Sequence, residues 1–291
     1  MKAANGSVND ATSAHPLFSA LGATYGQGAA PLAIQAGTSA GSAGFNTSYS
    51  QATATLVGGA DLVRLQGAHS ALAFGVASGY IDSEQSFTTG SDAFAYSGAA
   101  VGIYASYQSA GLHAEATVRS DFLKAQYTAD WLAQARPTTN LTSTGAELDA
   151  GYRYAINSRL TVEPLASAAI ETTSMGDLQL GGSTARFRAA SSGWANMGVR
   201  VSGQLRRGDY SIKGVITARA WDEFSADNTV ILSDFGPNTP LVDHIGGLSG
   251  ELGGDLIVSK GGHAEGFVSA TVRNGATQDA VRALAGFRIR W

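Results

Sequence analysis

The sequence runs to 291 residues with no Cys, 37 Gly, 6 Pro, 14% charged residues and a formal net charge of -4. The absence of thiols excludes a disulfide scaffold or a thiolate metal site, and the mildly acidic balance without a Lys/Arg cluster excludes a nucleic-acid footprint. Mean hydropathy is zero, yet no stretch approaches the ~18 consecutive apolar residues of a membrane-spanning helix. The lack of Cys also suits a chain that crosses an oxidising periplasm. Low charge together with abundant Gly, Ala, Ser and Thr favours one large all-β unit over two soluble domains.

In chain order, Met1 and Lys2 precede Ala3-Ala4-Asn5-Gly6-Ser7, which lacks the apolar core of a secretory signal. An exported protein would then be represented by a fragment or cleaved product. Residues 1–16 read as a residual linker or pore segment and residues 17–291 as one barrel domain. Between Asp10 and Asp61 there is no charged side chain, and Gly, Ser, Thr and Gln interrupt the apolar residues.

Beyond this point the pattern is two-residue alternation, with one face apolar and the other polar. Leu112, Ala114, Ala116 and Val118 oppose His113, Glu115, Thr117 and Arg119; Leu160, Val162, Ala166, Ala168 and Ile170 oppose Thr161, Glu163, Ser167 and Glu171. Twelve strands are expected, near 17–27, 45–65, 69–82, 93–108, 110–126, 142–156, 159–173, 187–205, 209–224, 244–259, 263–274 and 279–291. Most exceed the ~9 to 11 residues that a tilted strand needs to cross hydrocarbon, whereas soluble strands average about 5 to 6.

Short turns near Gln66-Gly67-Ala68, Ser109-Ala110-Gly111, Asn157-Ser158, Arg206-Arg207-Gly208 and Lys260-Gly261-Gly262 alternate with longer polar stretches at 83–92, 128–141, 174–185 and 225–243. Short turns on one rim and long loops on the other predict a 12-stranded antiparallel transmembrane β-barrel of the bacterial outer membrane. Tyr80, Tyr127, Trp131, Trp194, Trp221 and Trp291 are expected in the interface girdles. Glycines such as Gly151 and Gly198 are expected where curvature or a close neighbour forbids a side chain. On the polar faces, Asp61, Glu115, Arg119, Glu147, Asp149, Arg153, Glu163, Arg200, Lys213, Arg219, Glu251, Asp255 and Arg273 are expected to line a hydrated, ion-conducting lumen. Inward placement follows because a charge facing lipid at midplane costs ~2–4 kcal/mol for Arg or Lys.

Catalytic patterns are weak. Gly37-Thr38-Ser39-Ala40-Gly41 fits the G-x-S-x-G elbow, but the strand, strained turn and helix that make the elbow work are missing. His15, His69, His113, His244 and His263 show no metal-ligand spacing, so no metal or other cofactor is expected. Glu163 and Glu171 sit too far apart along one strand for glycoside chemistry. No enzymatic activity is expected.

The chain ends in Ala283-Leu284-Ala285-Gly286-Phe287-Arg288-Ile289-Arg290-Trp291, with Val281, Ala283, Ala285, Phe287, Ile289 and Trp291 on an apolar face. This pattern resembles the signal, here Phe287, Ile289 and Trp291, by which the barrel-assembly machinery recognises outer-membrane proteins. In order along the chain come Leu56-Val57-Gly58-Gly59-Ala60-Asp61, Ala100-Val101-Gly102-Ile103-Tyr104, Gly145-Ala146-Glu147-Leu148-Asp149-Ala150-Gly151-Tyr152-Arg153, Leu160-Thr161-Val162-Glu163-Pro164 and Met197-Gly198-Val199-Arg200-Val201. With the last strand they resemble the autotransporter β-domain of type V secretion.

Two features depart from that family. Leu17-Phe18-Ser19-Ala20 stands where a Trp and a nearby Arg are common, and residues 1–16, with Gly6 and Pro16, make poor material for a pore helix. Asn5 and Asn9 lack the surroundings of a cleavage motif. The resemblance implies a monomeric Gram-negative outer-membrane translocator that anchors an N-terminal passenger and supports its export, commonly in adhesion or virulence. Its implied partners are outer-membrane lipid and lipopolysaccharide, the assembly machinery and the passenger itself. A free-standing porin or adhesin barrel is the alternative.

Overall fold

The computed structural model describes residues 29–43, 47–87, 91–132, 135–233, 239–244, 247–261, 264–275 and 278–290. The strands are β1 (Ala29–Ala43), β2 (Thr47–Gln66), β3 (Ser70–Phe87), β4 (Ala93–Ser109), β5 (Leu112–Thr128), β6 (Thr138–Tyr152), β7 (Tyr154–Ala155) and β8 (Leu160–Met175). They continue with β9 (Leu178–Leu180), β10 (Ser183–Phe187), β11 (Ala190–Arg207), β12 (Tyr210–Ser233), β13 (Thr239–His244), β14 (Gly247–Lys260), β15 (Ala264–Gly275) and β16 (Gln278–Arg290). One 3-10 turn, Asp130–Leu132, interrupts the connection between β5 and β6.

Twelve strands form an antiparallel ring in the order β1, β2, β3, β4, β5, β6, β8, β11, β12, β14, β15, β16, and β16 pairs back onto β1. Closure leaves no ladder edge around the ring, which is the condition for placing a sheet in hydrocarbon. The short β7 extends the pairing of β6 along β8. Outside the ring, β9 pairs β10, β10 pairs the far end of β12, and β13 pairs the same end from the other side.

The outward face is oily. Ile170, Met197, Ile216 and Leu252 are each more than 60% exposed, and Val101, Ile103, Val118, Leu148 and Val272 lie on the same face of neighbouring strands. A continuous apolar surface of this kind is compatible with lipid and not with water.

Towards the long-loop end the alternation changes phase. On β5 the outward residues pass from Val118 and Phe122 to Lys124, while the inward ones pass from Arg119 and Asp121 to Leu123, Ala125 and Tyr127. On β3 the outward face passes from Phe74 and Val76 through Tyr80 to Asp82 and Glu84, with Ile81 and Phe87 buried inside. The ladders therefore continue past the lipid into water, where the ordinary rule of polar outside and apolar inside resumes. The stretches 83–92, 128–141, 174–185 and 225–243, expected as polar loops, are in part these extensions: β3 runs to Phe87, β6 begins at Thr138, β8 runs to Met175 and β12 to Ser233.

Each of the eleven expected strands from 45–65 onward overlaps a ring strand. The expected first strand, 17–27, lies outside the described residues. The ring is instead completed by β1, in the Gly-, Ala- and Ser-rich run, whose lack of charge leaves its two-residue rhythm faint. Ser39 of the G-x-S-x-G decoy pairs with Gln51 and Ala280 in the middle of this ladder, so no nucleophile elbow forms.

Ile216 lies deep in the outward belt, and Leu205 lies near the short-turn rim. Ile216→Arg is expected to destabilise the bilayer-folded barrel by about 2–4 kcal/mol, and Leu205→Arg by about 0–1 kcal/mol. Denaturant titration in lipid vesicles measures both, and equal costs would contradict the assignment of the belt.

Candidate functional site in the barrel interior

The interior has two zones, polar towards the short turns and apolar towards the long loops. Inward-facing, buried or half-buried positions hold Asp61, Glu115, Arg119, Glu147, Asp149, Arg153, Glu163, Arg200, Lys213, Arg219, Glu251, Asp255 and Arg273. Neighbouring strands bring the opposite charges together. Glu163 on β8 is a hub: its carboxylate lies 2.9 Å from His113 Nδ1, accepts from Arg153 Nε at 3.1 Å and accepts from Arg200 Nη1 at 3.2 Å. His113 Nε2 lies 3.3 Å from Asp149 Oδ1, so one network ties β5, β6, β8 and β11.

This hub needs Gly151 on β6, opposite His113 in the ladder. A Cβ there would stand 2.5 Å from His113 Cε1 and 2.9 Å from Glu163 Oε1. Between adjacent strands Arg219 Nη1 donates to Glu251 Oε1 at 3.2 Å, and Arg288 Nη1 donates to Glu265 Oε1 at 3.3 Å. Arg119 forms a two-toothed pair with Asp121 on its own strand. Tyr104 lies over Gly75 and donates its hydroxyl to Asp61 Oδ1 at 2.5 Å.

A cavity of about 140 Å³ lies between the walls, lined by Arg153, Glu163, Arg200, Lys213, Arg219 and Glu251 among others. Polar partners and volume suffice for several waters. Among the described residues no group of three or more His, Asp and Glu side chains is arranged to hold a metal ion.

The second zone is an apolar cap. Phe94, Tyr96, Leu123, Tyr127, Leu141 and Met175 on the inward faces of β4, β5, β6 and β8 pack against Leu178, Leu180, Ala185 and Phe187 of the β9–β10 hairpin and Val230 of β12. The hairpin is amphipathic: Gln179, Thr184 and Arg186 face solvent, with Thr184 Oγ1 donating to Gln179 Oε1 and Arg186 pairing with Asp177. Phe94 and Leu178 are fully buried, so the described interior at the long-loop end is packed and does not continue the polar zone.

Three aromatics depart from the expected girdle. Tyr127 and Trp221 fall on the inward register of β5 and β12, and Trp194, beside a bulge at Gly193/Trp194, brings its ring to 4.7 Å from Trp221. Arg273 lies over Trp221 at 4.1 Å, a cation-π contact inside the barrel. Tyr80 and Trp131 are exposed, and the exposed aromatics at the short-turn end include Tyr107, Tyr152, Tyr154 and Tyr210. In the last strand, Phe287 and Ile289 face outward and are about half exposed; Trp291 lies outside the described residues.

Sequence spacing marks no role for His113, and Glu265 and Tyr104 are not among the expected lumen residues; the structure makes all three ion-pair or hydrogen-bond partners. The signal existed in the register, since Glu265 and Arg288 are directly opposed on β15 and β16. Removing the carboxylate at the hub takes the ion-pair partner from Arg153 and Arg200 and leaves His113 with Asp149. Glu163→Gln is expected to lower stability by about 3 kcal/mol, with partial recovery in Glu163→Gln/Arg200→Gln, read by denaturant unfolding in detergent.

The family model described as "Autotransporter beta-domain" matches residues 33–289. No curated protein matches by sequence. The fold is similar to the β-domain of the Bordetella autotransporter BrkA, with TM-score 0.74, 17% identity and coverage of 91% of this chain and 100% of that one. The transport unit of AIDA-I from Escherichia coli gives TM-score 0.76 at 17% identity, covering 99% of this chain and 98% of that one. The translocator domain of NalP from Neisseria meningitidis gives 0.73 at 11%, covering 99% and 97%. With a family match spanning nearly the whole ring and an oily exterior enclosing a charged interior, the chain belongs to the autotransporter β-domains, the outer-membrane barrels that support passenger export.

Proposed function

We propose that this barrel anchors an N-terminal passenger in the outer membrane and guides it to the cell surface as a physical conduit, with no bond made or broken by its own side chains. The observation that carries this reading is the closure geometry: Ala29 of β1 pairs with Arg290 of β16 at the short-turn rim. Short turns face the periplasm in such barrels. A passenger attached ahead of β1 and displayed outside therefore needs its connecting chain to cross the membrane, and the hydrated interior is the route that avoids lipid.

Residues 1–16 serve in this reading as linker or pore segment, joined to a domain that extends to residue 291. Inward charges such as Glu163, Arg200, Arg219 and Glu251 keep the passage wet, and their mixed signs avoid trapping a passing chain. Phe287, Ile289 and Trp291 form the face offered to the assembly machinery, and the barrel works as a monomer in contact with phospholipid and lipopolysaccharide. The apolar cap favours this reading over a free-standing porin, which needs a continuous aqueous path. Passage precedes packing of the β9–β10 hairpin, or displaces it.

A tagged passenger fused ahead of residue 1 is expected to become protease-accessible on intact cells, and Trp291→Asp to reduce the amount displayed while leaving refolding in detergent intact. A tag that stays protected beneath an inserted barrel would overturn the export reading. In bilayer recordings the intact fold is expected to conduct weakly, and replacement of 177–187 by a short Gly-Ser link to raise conductance several-fold. High conductance of the intact fold would refute the sealed mouth.

A further inference from the structure

At the described short turns, the exposed Lys and Arg side chains lie in one sector. Arg159, Arg206, Arg207 and Lys260 are exposed at three successive turns, with Asp209 the acid among them. The turns at 67–69 and 110–111 carry neither Lys nor Arg. The registers order this sector into rows on the outward face. Arg207 is opposite Tyr210, and Tyr210 is opposite Lys260, whose ammonium lies 5.5 Å from the Tyr210 ring centre. Two cations thus stand on either side of one tyrosine at the short-turn rim.

The next row towards the membrane centre is Leu205, Ile212 and Val258, all exposed and apolar. The row after it begins with Gly203 opposite Gly214, and a Cβ built on either would meet nothing within 4 Å. Two bare glycines side by side cut a notch in the oily belt about 10 Å wide, given strand spacings of about 4.8 Å. Leu256 walls it on one side.

We propose that this sector binds an anionic phospholipid of the periplasmic leaflet: Arg207 and Lys260 hold its phosphate group, Tyr210 sits at the glycerol level, and one acyl chain lies over Leu205 and Ile212 into the Gly203–Gly214 notch. Juxtaposed charge and interfacial aromatics are the chemistry of headgroup recognition, and the notch distinguishes a seated lipid from the diffuse shell. The occupant is a lipid and not a free anion because the cations sit directly over exposed apolar rows. Asp209 opposes the binding of negative charge and sets the strength of the clamp.

The test is native mass spectrometry of the folded chain released from nanodiscs of phosphatidylglycerol and phosphatidylcholine with identical acyl chains. The intact barrel is expected to retain phosphatidylglycerol preferentially, and Arg207→Gln and Lys260→Gln each to lower that retention about fivefold. Asp209→Asn should raise it, and Gly214→Leu, which fills the notch, should lower retention of long-chain lipid. Heat-modifiable gel mobility checks that each variant is folded. Equal retention of the two lipids, an unchanged preference in Arg207→Gln/Lys260→Gln, or displacement of the bound molecule by inorganic phosphate would overturn the proposal.

Discussion

Each ring strand has to satisfy lipid on one face and water on the other within the same two-residue repeat. Lipid tolerates no unpaired backbone group and no exposed charge, so the ladder must close and the charges must turn inward. Both conditions are met by one periodicity, and the phase of that periodicity is set by the solvent at each height. Val118 and Phe122 face outward where lipid lies, and Lys124 takes the same face where water begins.

The interior follows from the same constraint. Charges that cannot face lipid accumulate inside, and burial there makes partners obligatory. Glu163 meets this with three basic neighbours drawn from different strands, so the pairs also fasten ring strands to one another. Where the outward face becomes polar, the inward one is released to be apolar, and the β9–β10 hairpin folds in to cover Phe94, Tyr127 and Leu141. The polar passage and the packed mouth are two solutions of one pattern on either side of the membrane boundary.

Much of this was legible in the residues. Alternation at 112–119 and 160–171 matches the buried and exposed faces of β5 and β8. What failed had local causes. In β1 small uncharged residues carry almost no contrast between faces, so the strand passed for a loop. Above the membrane the rhythm persists with inverted sign, and polar outward residues such as Glu84 and Ser86 read as loop. Tyr127 and Trp221 were placed in the girdle because aromatics near strand ends usually sit there, although their parity puts them inside. The His113 hub depends on which strand positions stand side by side, information that exists only once register is known.

The abrupt change of phase also fixes the vertical position of the molecule. Asp82, Glu84 and Lys124 stand on the outward face immediately beyond the last apolar residues, and Arg207 and Lys260 mark the opposite rim. A rigid closed cylinder cannot tilt or kink one strand at a time to absorb hydrophobic mismatch. Lipids of the wrong thickness must therefore stretch or compress around it, and the barrel acts as a gauge that imposes its own height on the surrounding leaflets.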